Sequence, residues 1–524
     1  AFWSHDGHHH GSFFMKPLLY VLLFLLQRST GGNIMNDERN LTGINPIPIG
    51  HPARTARHSE PAASKVAELT SNNTEFRREI GVFGGVSVIG GIMIGSGIFY
   101  LGAYVLQRTG MNSGLALICW ILAGVISLFG GLCYAELGCA MPRAGGSVIY
   151  LNEAYHPVVG FMSGFTNFLI GGPGSIAAVA IAMMTVFQSL LGISNTGVKA
   201  GAIVLIIGTT IYNLYGVKLA STIQNISMVA KLVPIVLILG ASLFTGTQTP
   251  DLSTGSAVTY ASQHNDNVFG MMALAIVAAL WAYEGWTNLN TVTEEMRNPK
   301  RNLPLSLIIG IGGVTVLYTL FNYGIMRVLP HETMVKMINS GDVYLGTAVA
   351  RQVLGSTGAM VIAIGMVLAM FGSLNGMTLA FPRMYYAMAK EGHFFQSFGR
   401  LHPVHRTPVT AIIVQCVISC ALVLMRNLDQ LTNLVVLSSM LFNVLVIIAV
   451  PILRRKYPHI ERPYKVWFYP VSVIIVSAIF IGLLIQGAVD DPVNGFAGLL
   501  VPAAGAVVYW IFDRKNEREE QING

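Results

Sequence analysis

Charge is scarce in this chain. Asp, Glu, Lys and Arg make up 11% of its 524 residues, against 53% hydrophobic ones. A water-facing surface cannot be built from that balance, so an ordinary soluble domain is excluded and an integral membrane protein with many helices is expected. Cysteine is scarce too, and Cys119, Cys133, Cys139, Cys416 and Cys420 all fall inside or at the ends of apolar segments. None has metal-ligand spacing with histidine, and no loop offers a disulfide partner. Free thiols are expected, with no metal, no cofactor and no covalently attached subunit. The formal net charge is +7, but the basic residues sit in short loops between apolar runs. There they read as topology signals, and nucleic-acid binding is not expected.

What the chain has is one apolar stretch that interrupts itself. Gly84 to Tyr104 reads GGVSVIGGIMIGSGIFYLGAY, with Gly84, Gly85, Gly90, Gly91, Gly95 and Gly97 all weakening a helix long enough to cross a bilayer. Taken alone, the stretch leaves two readings open. It can be a close-packing face of small residues, or an unwound joint. Backbone left unpaired at membrane depth is tolerated where protein buries it or a water-filled cavity meets it. On the second reading Ile94, Gly95, Ser96, Gly97 and Ile98 form a joint that faces a small polar ligand.

Residues 1–78 differ from the rest. Pro17 to Leu26, preceded by Lys16, resembles a signal-peptide core, and His8, His9 and His10 read as incidental. Met15 and Met35 are both candidate starts, so part of this segment reads as upstream sequence. From Asn36 to Arg78 the composition is that of a mobile polar tail. A transmembrane domain is expected over 79–513 and a short tail over 514–524. Twelve spans are expected, near 81–106, 113–138, 157–189, 198–215, 221–245, 267–292, 304–329, 356–382, 407–426, 430–453, 468–488 and 494–512. The third is long enough to tilt or to kink at Gly171-Gly172-Pro173-Gly174. Loop charges support this count, because Lys and Arg gather on alternate loops, as at Arg297, Lys300 and Arg301 or Arg454, Arg455 and Lys456. Arg108, Lys199, Lys336, Arg351 and Arg426 are exceptions. Both termini are therefore expected in the cytoplasm. The loop from Pro330 to Gly355 can form short helices over the outer mouth or run as an ordinary surface loop.

A second interruption falls in the sixth span, where Glu284 and Gly285 stand between Tyr283 and Trp286. A carboxylate beside glycine in an apolar span marks a broken helix at a site or the end of the span, and apolar residues on both sides favour the site. Spans one and six are five apart and both interrupted, the pattern of an inverted five-helix repeat whose broken helices meet at the membrane midplane. Amides freed at Ser96 and Gly97 suit a carboxylate, and carbonyls freed around Trp281, Ala282 and Glu284 suit an ammonium group. A ligand needing both is an alpha-amino acid. Lys231, about ten residues into the fifth span, can pair with a carboxylate, shed its proton or hold the place of a sodium ion. Snorkelling to the surface is the structural alternative. No nucleophile stands beside a base at either break, so no enzyme and no catalytic residue are expected.

GSGIF at Gly95, YAELGCAMPRAGGSVIYLNEAY at Tyr134, VAKL around Lys231, WAYEGW at Trp281, TEEMRNPKRNLP at Thr293 and FPRMYYAMAKEGHFF at Phe381 occur in that order. Together they resemble the amino acid-polyamine-organocation superfamily, and within it the L-type amino acid transporter branch, over about residues 78–512. The resemblance implies an all-α membrane protein of about twelve transmembrane helices, with a LeuT-like 5+5 inverted repeat and broken helices one and six. It implies alternating access, with Ile94, Ser96 and Gly97 at the substrate carboxylate, Gly95 among the substrate-binding residues, and carbonyls of Trp281, Ala282 and Glu284 at the amine. The Trp281 ring would cover the substrate, and Lys231 would fill a former sodium position. Glu284 stands where many relatives have glycine, so it would add charge near the substrate or carry a proton, and Lys231 and Glu284 are the coupling candidates. The loop between spans three and four lacks the cysteine through which animal light chains bond a heavy chain, so a disulfide-linked heavy chain is not expected. The expectation is a plasma-membrane permease for neutral L-amino acids, working by exchange or with protons. A carrier of cationic amino acids or polyamines, and a nutrient receptor or channel on the same scaffold, are the alternatives.

Overall fold

The computed structural model describes residues 66, 69–71, 74–95, 97–263, 267–425, 428–490, 498 and 500–513. The expectations for residues 1–65, for Ser96 and for the tail 514–524 lie outside the described residues.

The first apolar run forms α1 (Val82–Met93) and α2 (Gly97–Arg108), bent by 56° between them. After it comes α3 (Ser113–Ala140), whose first turn is capped by Asn112, its side chain accepting from the Leu115 amide at 2.6 Å. The short α4 (Ser147–Ala154) leads into α5 (Pro157–Thr166) and α6 (Gly172–Leu191), joined by a π-helical turn at Asn167–Gly171. The kink expected at Gly171 to Gly174 is replaced by this wider turn, which begins earlier. Pro173 has no N–H for the Leu169 carbonyl and its ring crowds that turn. The helix accommodates it by pairing the Gly172 amide with the Asn167 carbonyl five residues back.

The chain continues through α7 (Asn195–Leu214), α8 (Val217–Thr245), α9 (Gly255–Gln263) and α10 (Val268–Ala282). Past the second interruption a 3-10 helix, Trp286–Glu295, precedes α11 (Pro299–Val328). The loop from Pro330 to Gly355 does form short helices, α12 (His331–Asn339) and α13 (Leu345–Leu354). Then come α14 (Ser356–Ala380), α15 (Pro382–Lys390), α16 (Val409–Met425), α17 (Leu428–Lys456), α18 (Val471–Asp490) and α19 (Leu500–Asp513). Among the described residues there is no strand, only a bridge between Ile80 and Met296.

Among the described residues, helices occupy the bulk of each expected span. By length and composition seven are apolar enough to cross a membrane, and α1 with α2 makes an eighth if counted as one broken span. Large apolar side chains such as Phe244 (92% exposed) and Phe269 (81%) stand bare on outer faces, where lipid rather than water fits them. Inside, α1 lies against α8, α11 and α14, while α2 lies against α10. The two halves of the first span are thereby held by different partners, which is what positions the site. The five cysteines are free.

The described end of the polar amino-terminal segment is docked rather than loose. Phe76 is buried with its ring 4.9 Å from that of Tyr386, and Glu75 pairs with Lys390 at 2.8 Å.

Candidate functional site

At the first break Ile94 leaves the helix (φ −78°, ψ 80°), and the Gly95 amide turns back to the Met93 carbonyl at 2.9 Å. The helix ladder of α1 ends with the Ile94 amide on the Gly90 carbonyl at 3.0 Å, and side chains from three other helices reach the carbonyls of this last turn. Lys231 of α8 is fully buried, and its Nζ donates to the carbonyls of Gly90, Gly91 and Ile94 at 2.7, 2.8 and 2.8 Å. Three N–H donors meet three acceptors at the negative end of a helix, which satisfies the ammonium by hydrogen bonding and by the helix dipole. The snorkelling alternative is excluded by this burial, and no carboxylate pairs with Lys231 among the described residues. Ser373 of α14 reaches the Gly91 and Ile92 carbonyls at 2.9 and 3.1 Å.

At the second break α10 stops at Ala282 and the chain reverses its twist at Gly285, whose φ is +129°. A Cβ there would lie 2.6 Å from Cγ2 of Ile92, so the position needs glycine both for its backbone and for the approach of α1. The two breaks therefore touch. Tyr318 of α11 joins them, its hydroxyl 2.7 Å from the Met93 carbonyl and 3.2 Å from that of Ala282. The Trp281 carbonyl accepts from the Glu284 amide at 3.3 Å. The Met93 carbonyl, taking both the Gly95 amide and the Tyr318 hydroxyl, has both lone pairs engaged.

A cavity of about 1840 Å³ opens beside the breaks, lined by Gly95, Gly97, Trp281, Ala282 and Glu284 among others. Five of the expected site residues are thus brought to one wall. Ile94 and Lys231 stand behind it, buried, and act on the backbone rather than on the cavity. Glu284 is half-buried and has no cation within ion-pair distance among the described residues. Asn443 of α17, beside the Glu284 carboxyl, also lines the cavity, and its Oδ1 accepts from the Tyr134 hydroxyl at 2.9 Å. Tyr318, Ser373 and Asn443 were not expected from the sequence. Their one signal was a lone polar group within an apolar run, which carries no address. No group of three or more His, Cys, Asp or Glu able to hold a metal occurs among the described residues.

Two interrupted helices meeting beside one cavity match what the motifs implied, and the family model for amino acid permeases matches residues 80–512. The chain belongs to the amino acid permease family. The permease is 31% identical to the serine/threonine exchanger SteT of Bacillus subtilis (strain 168), over 84% of this chain and 98% of the exchanger. It is 29% identical to the b(0,+)-type amino acid transporter 1 of Mus musculus, over 84% of this chain and 88% of that one. The human cystine/glutamate transporter is 30% identical over 84% and 86% respectively. The resemblance read from the motifs is borne out. The permease is a multi-pass membrane transporter and not an enzyme.

Proposed function

We propose that the permease exchanges neutral L-amino acids across the plasma membrane by alternating access around the two breaks. The observation that carries this reading is the meeting of the first turn of α2 and the last carbonyls of α10 on one cavity wall. Gly97 begins a helix, so its amide and the helix dipole suit a substrate carboxylate, and the sequence motif assigns Ser96 to the same group. The carbonyls of Trp281, Ala282 and Glu284 suit the ammonium, and the Trp281 ring covers the bound molecule. The name of the Bacillus subtilis relative, a serine/threonine exchanger, supports exchange. With Lys231 seated on the carbonyls that would otherwise bind a cation, the cycle needs no sodium.

On this reading spans one to five and six to ten form the LeuT-like inverted repeat, residues 79–513 are one transport domain, and both termini are cytoplasmic. The permease works without a disulfide-linked heavy chain. A second reading, transport of cationic amino acids, is favoured by Glu284, a cavity-lining carboxylate without a cationic partner. Glu284→Gly would then abolish uptake of a cationic amino acid while sparing a neutral one, and unchanged selectivity removes that reading.

The deciding experiment is uptake of a labelled neutral amino acid into proteoliposomes that are empty, preloaded with unlabelled amino acid, or given an inward proton gradient. Exchange predicts uptake into loaded vesicles alone. Concentrative uptake into empty vesicles on the gradient would mean a proton symporter, with Lys231 and Glu284 the first residues to test as proton carriers.

A further inference from the structure

α1 is held at two levels by α8, and the break explains only one of them. The first is Lys231 on the freed carbonyls. The second lies seven residues, or two turns, away on the same face of α8, where Gln224 is fully buried and its Nε2 donates to the Ser87 carbonyl at 3.1 Å. Ser87 lies inside α1, where the helix ladder already supplies its carbonyl with a partner. The Gln224 bond therefore satisfies nothing that α1 needs.

Gln224 is itself backed by a chain of carboxamides. Asn375 of α14 donates to Gln224 Oε1 at 2.5 Å and to the Ala220 carbonyl at 3.1 Å. Asn213 of α7 donates to Asn375 Oδ1 at 3.2 Å and to the Thr209 carbonyl at 2.8 Å. Each amide accepts from the one behind and donates to the one ahead, so the dipoles align toward α1. The seat is shaped for this, because a Cβ on Gly91 would fall 1.7 Å from Gln224 Nε2 and one on Gly376 would fall 3.2 Å from it. Three amides buried at membrane depth are costly to keep for packing alone. They make sense as a contact that can be released, since α1 could leave without orphaning its own backbone.

We propose that the Gln224, Asn375 and Asn213 chain is a second anchor for the inner half of α1, made of positioning residues that set how the permease divides its time between its two facings. One attachment point is a pivot, while two attachments two turns apart also fix the tilt of α1. Releasing the amide anchor removes the hold of α8 on that half of α1 and leaves the junction of Ile80 with Glu295 and Arg297, and the Ser306 bond to Val82, as its remaining ties. The inference rests on the alternating-access reading above. None of the three amides lines the cavity, so substrate choice is not their office.

The test is exchange by Gln224→Leu in proteoliposomes of fixed protein orientation, with half-saturating concentrations measured separately at the two faces. Loss of roughly one hydrogen bond to a mobile helix shifts the facing equilibrium by about five- to tenfold. The half-saturating concentration should fall at the inner face and rise at the outer face, with the ranking among amino acids unchanged. Asn375→Leu should shift both values in the same sense, and the double variant should add little, because one anchor is being removed twice. If Gln224→Leu does not fold, Asn213→Leu at the far end of the chain carries the same sided readout. Equal changes at both faces, a new substrate ranking, or full additivity of the double variant would overturn the anchor. Wild-type vesicles that exchange nothing would overturn the transport reading, and the anchor with it.

Discussion

Lys231 and Tyr318 do the same kind of work at single-residue scale, each bringing a side-chain donor to backbone carbonyls at a broken helix. Lys231 serves three carbonyls and Tyr318 stands between two, one from each break. Removing the ammonium takes one donor from each, but Gly90 keeps the Ile94 amide and Gly91 keeps Ser373, so the cost of about 1–3 kcal/mol falls on the Ile94 carbonyl. Lys231→Ala is therefore expected to abolish exchange, while replacing sodium by choline leaves wild-type exchange unchanged. Strong sodium dependence of the wild type would contradict the seating of a lysine where a cation would bind. Tyr318→Phe is the milder cut. Its ring would keep its contacts with Trp120 and Tyr283, at 5.4 and 5.3 Å between centroids, and lose the hydroxyl alone. About 1 kcal/mol of coupling between the breaks goes with it, and initial exchange rates should drop roughly fivefold at equal protein in the membrane. An unchanged rate would mean that the two breaks are tied by the Gly285 and Ile92 contact rather than by the hydroxyl.

At the scale of elements, the 3-10 helix after Gly285 ends in a dense junction. The amides of Glu79 and Ile80 both donate to the Glu295 carbonyl, and the Arg297 amide returns the bond to Ile80. The Glu295 carboxylate is buried and receives Arg383 Nε at 2.6 Å. Deleting one member of such a pair strands the other charge, at about 3–5 kcal/mol. Arg383→Met should lower the melting temperature of the detergent-solubilised permease sharply, and adding Glu295→Gln should restore most of it. A double variant no better than the single one would show that Arg383 acts through packing. The nearby Glu75–Lys390 pair is half-exposed and contributes far less. Lys390 holds the Glu75 carboxyl below its ordinary value of 4.5, so its small contribution is full above that value and is lost as pH falls through the lowered one. These elements also mark what could be read in advance. The helices were legible because apolar runs and loop charges repeat along the chain, and the breaks because glycine and Glu284 interrupt them. The 3-10 geometry of Trp286–Glu295, the π turn ahead of Pro173 and the docking of Phe76 were not. Each depends on which neighbour supplies a hydrogen bond or a ring, and a local run of polar residues reads alike whether it hangs free or is pinned.

For the molecule as a whole the same limit applies to Gln224 and Asn375, single amides whose meaning appears only once α1, α7, α8 and α14 come together. It also applies to how the last helix is fastened. α19 meets the body of the permease through Tyr509, on which His393 stacks at 4.5 Å between rings, with His156 edge-on at 6.3 Å. Asp513 faces His393 at 3.6 Å, and Phe512 lies 5.2 Å from Phe395. Burial lowers the pKa of His393 below its ordinary 6.5, and His156 adds to that, while Asp513 and the Glu391 backbone oppose it. A ring that resists protonation when docked binds its proton more readily when released, so docking is at full strength above pH 6.5. It weakens as pH falls from there through the lowered value. The stability of the wild type should thus decline, relative to His393→Gln, between pH 7.5 and pH 5.5, as read from paired melting temperatures in detergent. If the wild type instead gains on His393→Gln as the solution is acidified, the ion pair with Asp513 outweighs burial, the ring is charged when docked, and acid tightens the fastening of α19 instead of loosening it.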